Sequence, residues 1–541
     1  MVKGIRRQGI RRGAQAAAVF CGAALVLTGC VSAGSDGGAT AATTSDGEVT
    51  VGIIGDQPDG GDPVDGGVLR FASYAPVRSL DPVKTQASGT TGGTELAAVY
   101  DVLVRYDAVK DEYEPRLAES LEESDDGLTW TLKLRDGITF SDGTPLDAAA
   151  VVASTERYNR LNGPDAQVFT DSVASVEAKD PSTVVYTLNQ PWHQFPAMLS
   201  LGHGMIVAPS AGEGADFTPI GAGPFTVESL GQNELKLVAR EDYWDGAPHL
   251  DGLSFVTIAG EKPKIDSLAN GDIEMAYLRD PTYVAQAKQK FPGYLHRYSL
   301  TDQIQLNSRP GRPGADERIR QAVQYALDPE AVNQRVDGGV GDPGTEIFPE
   351  WSKWHDDAQA APTFDPDKAR ALVEEAKADG AATRLTYVSV QDDRSKKYAL
   401  TAEAMLENVG LTVDIDFVPT VTDMVRRLYV DHDYDIGYTA LSLPDAAPYI
   451  RLYSALSSAS TNNSSGYHSE QMDALLAKIQ QAPDEDAKRA AFAELQQQFT
   501  EHAPMVPMAS GSNFVAWSPN VYGVTPTMDS VMLFDEAWIK K

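Results

Sequence analysis

Between residues 365 and 442 the apolar positions switch repeatedly between helical and strand spacing. Ala369, Leu372, Val373 and Ala376 recur at three- and four-residue intervals behind Asp365-Pro366, a pair suited to capping and opening a helix, and Gly380 can close it. Residues 385–390 (LTYVSV) read as a strand. Tyr398, Ala402, Met405, Leu406 and Val409 mark a second amphipathic helix, stopped at Gly410. Leu411, Val413, Ile415 and Phe417 alternate with polar residues, as a strand does. Val421, Met424 and Leu428 predict one more helix before a strand at 436–441. Helices alternating with strands predict parallel pairing in an α/β lobe.

Residues 127–144 follow another pattern. Short runs at 129–134 and 138–140 adjoin the turn pairs Asp136-Gly137 and Asp142-Gly143, which predicts a compact β-rich unit. Residues 68–71 (VLRF) predict the first strand of the folded body. Ahead of them, residues 34–67 hold ten glycines and six aspartates, with no lysine or arginine between Arg12 and Arg70. Such a segment cannot bury enough apolar area to order itself and reads as a flexible tether, with 49–54 its one run of strand character.

The N-terminus adds an address. Lys3, Arg6, Arg7, Arg11 and Arg12 precede a mostly apolar stretch at 16–27, shorter than the roughly 20 residues that span a bilayer. A basic head, a short apolar run and small residues beyond it predict an export signal. Its ending, Leu27-Thr28-Gly29-Cys30, resembles the lipobox of bacterial lipoproteins, which implies lipid on Cys30. The other cysteine, Cys21, would leave with the signal, so the exported chain has no internal disulfide and relies on its core. The formal charge of the 541 residues is −32, and loss of the five basic residues takes it near −37. A surface this acidic repels phosphate backbones and anionic headgroups, which excludes nucleic-acid binding.

Motifs of covalent chemistry are missing. No HExxH, GxSxG or GxxxxGK[ST] occurs, and Gly221-Ala222-Gly223 is followed by Pro224, as in a turn. The eight histidines are scattered, with none paired at i, i+4. No catalytic residue, metal or cofactor is expected. The rings at 351–355 and 449–453 suit either ligand stacking or core packing.

Residues 114–157, EPRLAESLEESDDGLTWTLKLRDGITFSDGTPLDAAAVVASTER, resemble the signature of the family 5 extracellular solute-binding proteins of ABC transporters, the group of oligopeptide, dipeptide and nickel receptors. The resemblance extends over Gly66-Gly67-Val68-Leu69, Leu80-Asp81-Pro82, 220–225, 242–246, Leu306-Asn307, 319–328, 472–476, Arg489 and 504–507. It implies an α/β, two-lobed periplasmic-binding-protein-like fold (type II, cluster C) with an extra β-rich subdomain in the first lobe. The implied division is a signal at 1–29, a tether at 30–65, lobe I at 66–107, 216–308 and 506–541, the extra subdomain at 108–215, and lobe II at 309–505.

The implied activity is capture of a small solute, peptide-like in most members, and its delivery to an ATP-driven permease. The chain would act as a monomer, touching the membrane only through its lipid. In peptide-binding members a G-W-x-x-D stretch in lobe II offers its backbone to an extended ligand and its aspartate to the peptide ammonium. The matching stretch is Gly437-Tyr438-Thr439-Ala440-Leu441, followed by Ser442-Leu443-Pro444-Asp445. Tyr438 takes the tryptophan place and Leu441 the aspartate place. Either Asp445 or another acid takes over, or the solute has no free amine, because a buried ammonium without its carboxylate is costly. The candidate ligand-binding residues are therefore Gly437, Tyr438, Thr439, Leu441 and Asp445, with Asn307, Gly93 and Thr94. A receptor for an oligosaccharide, opine or metal chelate is the alternative, and a secreted lipid-anchored hydrolase the remote one.

Overall fold

The computed structural model describes residues 41–43 and 48–541. The expected export signal, Cys30 and the first part of the tether lie outside the described residues.

One 13-stranded sheet runs through both lobes. On the first-lobe side its order is Phe225–Leu230, Glu234–Ala239, Gly252–Val256, Val68–Ala72 and Met275–Leu278. On the second-lobe side it is Ile436–Thr439, Arg384–Val390 and Thr412–Val418, with parallel pairing as the alternating pattern predicts. Asp365 and Asp392 cap the helices Pro366–Ala378 and Asp393–Asn408 by accepting the amides of Lys368 and Ser395, each at 2.9 Å. The helix expected over 421–428 is α-helical only at Val421–Val425 and widens to a π turn at Arg426–Val430.

Two long antiparallel strands, Gly293–Leu306 and Met505–Trp517, carry the sheet from lobe to lobe. Residues 293–298 pair with 511–516, and 302–305 with 505–509, but the register shifts between these blocks. Leu300 there has φ 51°, a conformation uncommon for a branched side chain, so the strand bends at 299–301. The resemblance puts the crossing at Leu306-Asn307; the ladder with the second long strand is broken at 299–301 and resumes at 302–305.

Residues 49–54, expected inside the tether, form the strand Val49–Ile54, paired with residues 293–296. Val51 and Ile53 pack on one apolar cluster and Val49 and Ile54 on another. This glycine-rich segment is ordered by a sheet edge that already exists, not by a core of its own.

The β-rich unit is a four-stranded antiparallel sheet of Ala118–Glu123, Thr129–Leu134, Thr183–Leu188 and Val173–Asp180. Its core of Trp130, Phe169, Tyr186 and Phe195 continues through Trp192, whose ring lies 5.5 Å from that of Tyr449 on the helix Pro448–Leu456. Gln194 Nε2 also donates to Ala446 O (3.1 Å), and Gln480 Nε2 to Ser172 Oγ (2.7 Å). The subdomain therefore rests against the second lobe as well as the first. Among the described residues no helix is long and apolar enough to cross a membrane.

Candidate ligand cleft

Strand ends and loops of both lobes meet beside the bend and enclose two chambers, which share Arg279 and Ala440. The larger, about 600 Å³, is lined by Tyr74, Glu261 and Asp280 of lobe I, by Asp337, Arg394 and Tyr438 of lobe II, and by the crossing strands at 301–302 and 508–512. The smaller, about 440 Å³, lies between the lobe I loop at Gln86–Thr90, the subdomain loop at Pro164-Asp165, and the lobe II segment Ala440-Leu441-Ser442 with Arg451. Both volumes suit a small solute.

The wall of the larger chamber is built around Arg394. Its guanidinium pairs with Asp302 (2.8 Å) and Asp337 (2.9 Å) and donates to Tyr438 Oη (2.6 Å). Tyr438 donates in turn to Asp302, and its ring lies 4.6 Å from that of Tyr398. Burial raises the Asp337 carboxyl above its ordinary range, against the lowering effect of Arg394. The Tyr438 hydroxyl is thus committed within the wall.

The structure sorts the sequence candidates into separate environments. Tyr438 and Thr439 line the larger chamber and Leu441 the smaller. Gly437 does not: it is paired with Gln305 on one side and Val388 on the other, so its backbone is not open to an extended ligand. Asp445 is turned away from both chambers. It accepts from Ser352 Oγ (2.8 Å) and Lys353 N (3.0 Å) and braces that loop, so it does not replace the acid absent at 441. Asn307 is fully buried and ties the chain together through its amide, which donates to His432 O and Tyr434 O. Gly93 and Thr94 lie in the buried helix Gly93–Tyr100, behind the loop that faces the smaller chamber, and Thr94 Oγ1 accepts from Met532 N (3.2 Å). The rings at 351–355 and 449–453 are mainly structural: Trp354 packs on Phe492 (4.8 Å), and Trp351 lies under the Arg297 guanidinium (4.7 Å).

Asp165, Arg279, Asp302 and Arg394, four of the charged residues that line the cleft, were not among those candidates. They come from segments far apart in sequence, and nothing local marks them in a chain with 77 acidic residues. Among the described residues no group of three or more His, Cys, Asp or Glu side chains is arranged to hold a metal ion.

Two lobes, a paired-strand crossing and chambers between them define a solute-binding protein. The model of the bacterial extracellular solute-binding proteins, family 5, matches residues 112–463, and the chain belongs to that family. It is accordingly an extracytoplasmic receptor of the ABC-transporter type for peptides or related solutes, and not an enzyme. Among curated relatives, the glutathione-binding protein GsiB of Salmonella paratyphi A is 27% identical over 449 residues, covering 78% of this chain and 86% of its own. The same fold is seen in DppA of Helicobacter pylori in complex with the peptide STSA (TM-score 0.75, 23% identity, 88% of this chain and 99% of that one). It is seen also in AgaA of A. tumefaciens in complex with agropinic acid (TM-score 0.74, 24% identity, 88% and 99%).

Proposed function

We propose that this chain is a lipid-anchored receptor that captures a peptide-like solute between its lobes and hands it to a membrane permease. The observation that carries the reading is the pair of chambers lying between lobes joined by a bent two-strand crossing. A solute that touches both lobes favours the closed arrangement and shifts the population toward it. The glutathione-binding relative and the peptide complex of similar fold support a peptide-like solute. A non-peptide solute is the second reading, favoured by Leu441 at the place of the ammonium-binding acid and by the agropinic acid complex.

Mass spectrometry of the solute released from the purified protein tests the class directly. A peptide or γ-linked peptide is the expected result, and a sugar or metal chelate would replace this reading by the second. Small-angle scattering should show the solute-free protein becoming more compact on saturation. An unchanged radius of gyration, from a sample shown to be empty at the start, would count against closure.

Anchoring rests on the sequence at 27–30. Cys30→Ala should release the processed protein from the membrane fraction, since it removes the lipid and no described helix offers a second anchor. Processed alanine variant that stays with the membrane would sink the lipid anchor.

A further inference from the structure

Two opposite charges face the smaller chamber without a partner at ion-pair distance, although Arg451 acts on Asp165 from farther off, and Asp302 and Asp529 face Arg279 in the same way. Asp165 follows Gly163-Pro164 in the subdomain, and among the described residues its carboxylate makes no hydrogen bond or ion pair, not even as a cap to the short helix behind it. Arg279 follows the strand Met275–Leu278 of lobe I; it donates to Ser442 Oγ (2.8 Å) and has no carboxylate at ion-pair distance. The chamber's other two charges satisfy each other, because Arg451 pairs with Asp529. Arg451 donates as well to the carbonyls of Leu441 (2.9 Å) and Ser442. A guanidinium therefore lies against the backbone at 441–442, the stretch that the resemblance matches to the ammonium-binding aspartate.

Asp165 and Arg279 are both half-buried and make no ion pair, so the chamber suits a ligand carrying both opposite charges. We propose that the smaller chamber is a zwitterion site, in which Asp165 holds the solute's ammonium and Arg279 its carboxylate. The anchor lost at Leu441 is then supplied from the β-rich subdomain. This rests on the reading of the chain as a receptor for peptide-like solutes and names how such a solute is recognised. The volume of about 440 Å³ fits a short peptide or a zwitterion of similar size. Its two ends would be held by the subdomain and by lobe I, and its middle would lie against lobe II at 440–442, so that binding closes all three together.

The site has a pH signature. Burial pushes the Asp165 carboxyl up to about 6, with Arg451 lowering it and Asp529 raising it. A protonated carboxyl does not attract an ammonium, so affinity for a free amine falls as the pH drops through about 6.

The test uses a pool of tripeptides of the form X-Ala-X in three states: free, N-acetylated and C-amidated. Wild-type protein, stripped of solute, is expected to retain the free pool about thirtyfold more tightly than either blocked pool, since each lost charge pair is worth about 2 kcal/mol or more. Asp165→Asn should lose the preference for the free amine and its pH dependence while keeping the preference for the free carboxylate. Arg279→Gln should do the reverse, and Asp165→Glu should keep the amine preference. Thermal melts identify a variant that fails to fold, in which case Asp165→Glu and the pH series on wild type decide. An Asp165→Asn variant that still prefers the free amine overturns the zwitterion site but leaves a peptide receptor standing. Wild-type protein that retains none of the pools overturns both.

Discussion

Lowering the pH from 7.5 to 5 is expected to cost this protein about 4 kcal/mol of stability through two histidines alone. His203 is buried, its Nε2 2.9 Å from Asn159 Oδ1 and its ring stacked 4.1 Å from Phe169. Its Nδ1 is buried with no partner among the described residues, so a proton there would find no acceptor. His296 is buried between the rings of Tyr294 and Tyr298, with Nδ1 3.0 Å from the Tyr298 hydroxyl. Burial pushes both imidazoles down to about 3, from an ordinary 6.5. Their folded values lie below the unfolded one, so the unfolded chain binds the extra protons. The stabilising contribution is complete above pH 6.5 and is lost progressively as the pH falls from there toward 3. At pH 5 each histidine is about 1.5 units into that window, or about 2 kcal/mol.

Buried carboxyls act in the opposite sense. Asp165, Asp445 and Asp529 are raised by burial and take up protons in the folded state before the unfolded one does. The comparison that isolates the histidines is therefore the difference between wild type and the variants His203→Gln and His296→Gln, followed by urea unfolding at pH 7.5, 6 and 5. Each variant should lose about half of that histidine-linked pH dependence. A wild-type profile no steeper than that of the double variant would show that neither ring is buried neutral.

The α/β lobe was readable because its elements state themselves locally. Caps such as Asp365, stops such as Gly410 and the alternation at 411–417 are all carried by neighbouring residues. At Val49–Ile54 the strand character was legible but the order was not, since that order comes from the edge of a strand more than two hundred residues later. The cleft divides in the same way. Tyr438 and Thr439, which line the larger chamber, were legible as candidates because they lie in one contiguous stretch that resembles the family's. Asp165 and Arg279 are brought together only by the packing of three separate units. Asp445 was misplaced for a related reason: proximity in sequence to Leu441 says nothing about direction after the turn at Ser442, whose φ is 51°.

The stretches that revealed the family, 114–157 and 242–246, meet in space at Asp101 and not at the cleft. Asp101 is fully buried and follows the helix Gly93–Tyr100. It pairs with Arg116 and accepts from Tyr243 Oη (2.5 Å), Trp244 Nε1 (3.2 Å) and Val102 N (2.8 Å). Arg116 reaches Asp535 near the C-terminus (3.0 Å) as well as the Tyr243 hydroxyl. This node therefore fastens the root of the β-rich subdomain to lobe I. Asp101→Ala is expected to cost about 3–5 kcal/mol, because it strips a buried guanidinium of one of its two carboxylates and leaves two ring donors unpaired. The backbone at 101, with φ 59° and ψ −169°, is strained for any side chain, so the cost of the alanine variant comes from the lost pairings and not from the backbone. Asp101→Asn keeps an acceptor for Tyr243 and should cost less than the alanine variant. Urea unfolding of Asp101→Ala, Arg116→Met and the double variant gives the coupling directly, expected at about 2–3 kcal/mol for members of one buried network. A coupling below about 0.5 kcal/mol would mean that the two charges act independently and that the subdomain is held elsewhere. Because Asp165 sits on that subdomain, loosening the node should also weaken solute binding, which makes a fold determinant far from the chambers part of their geometry.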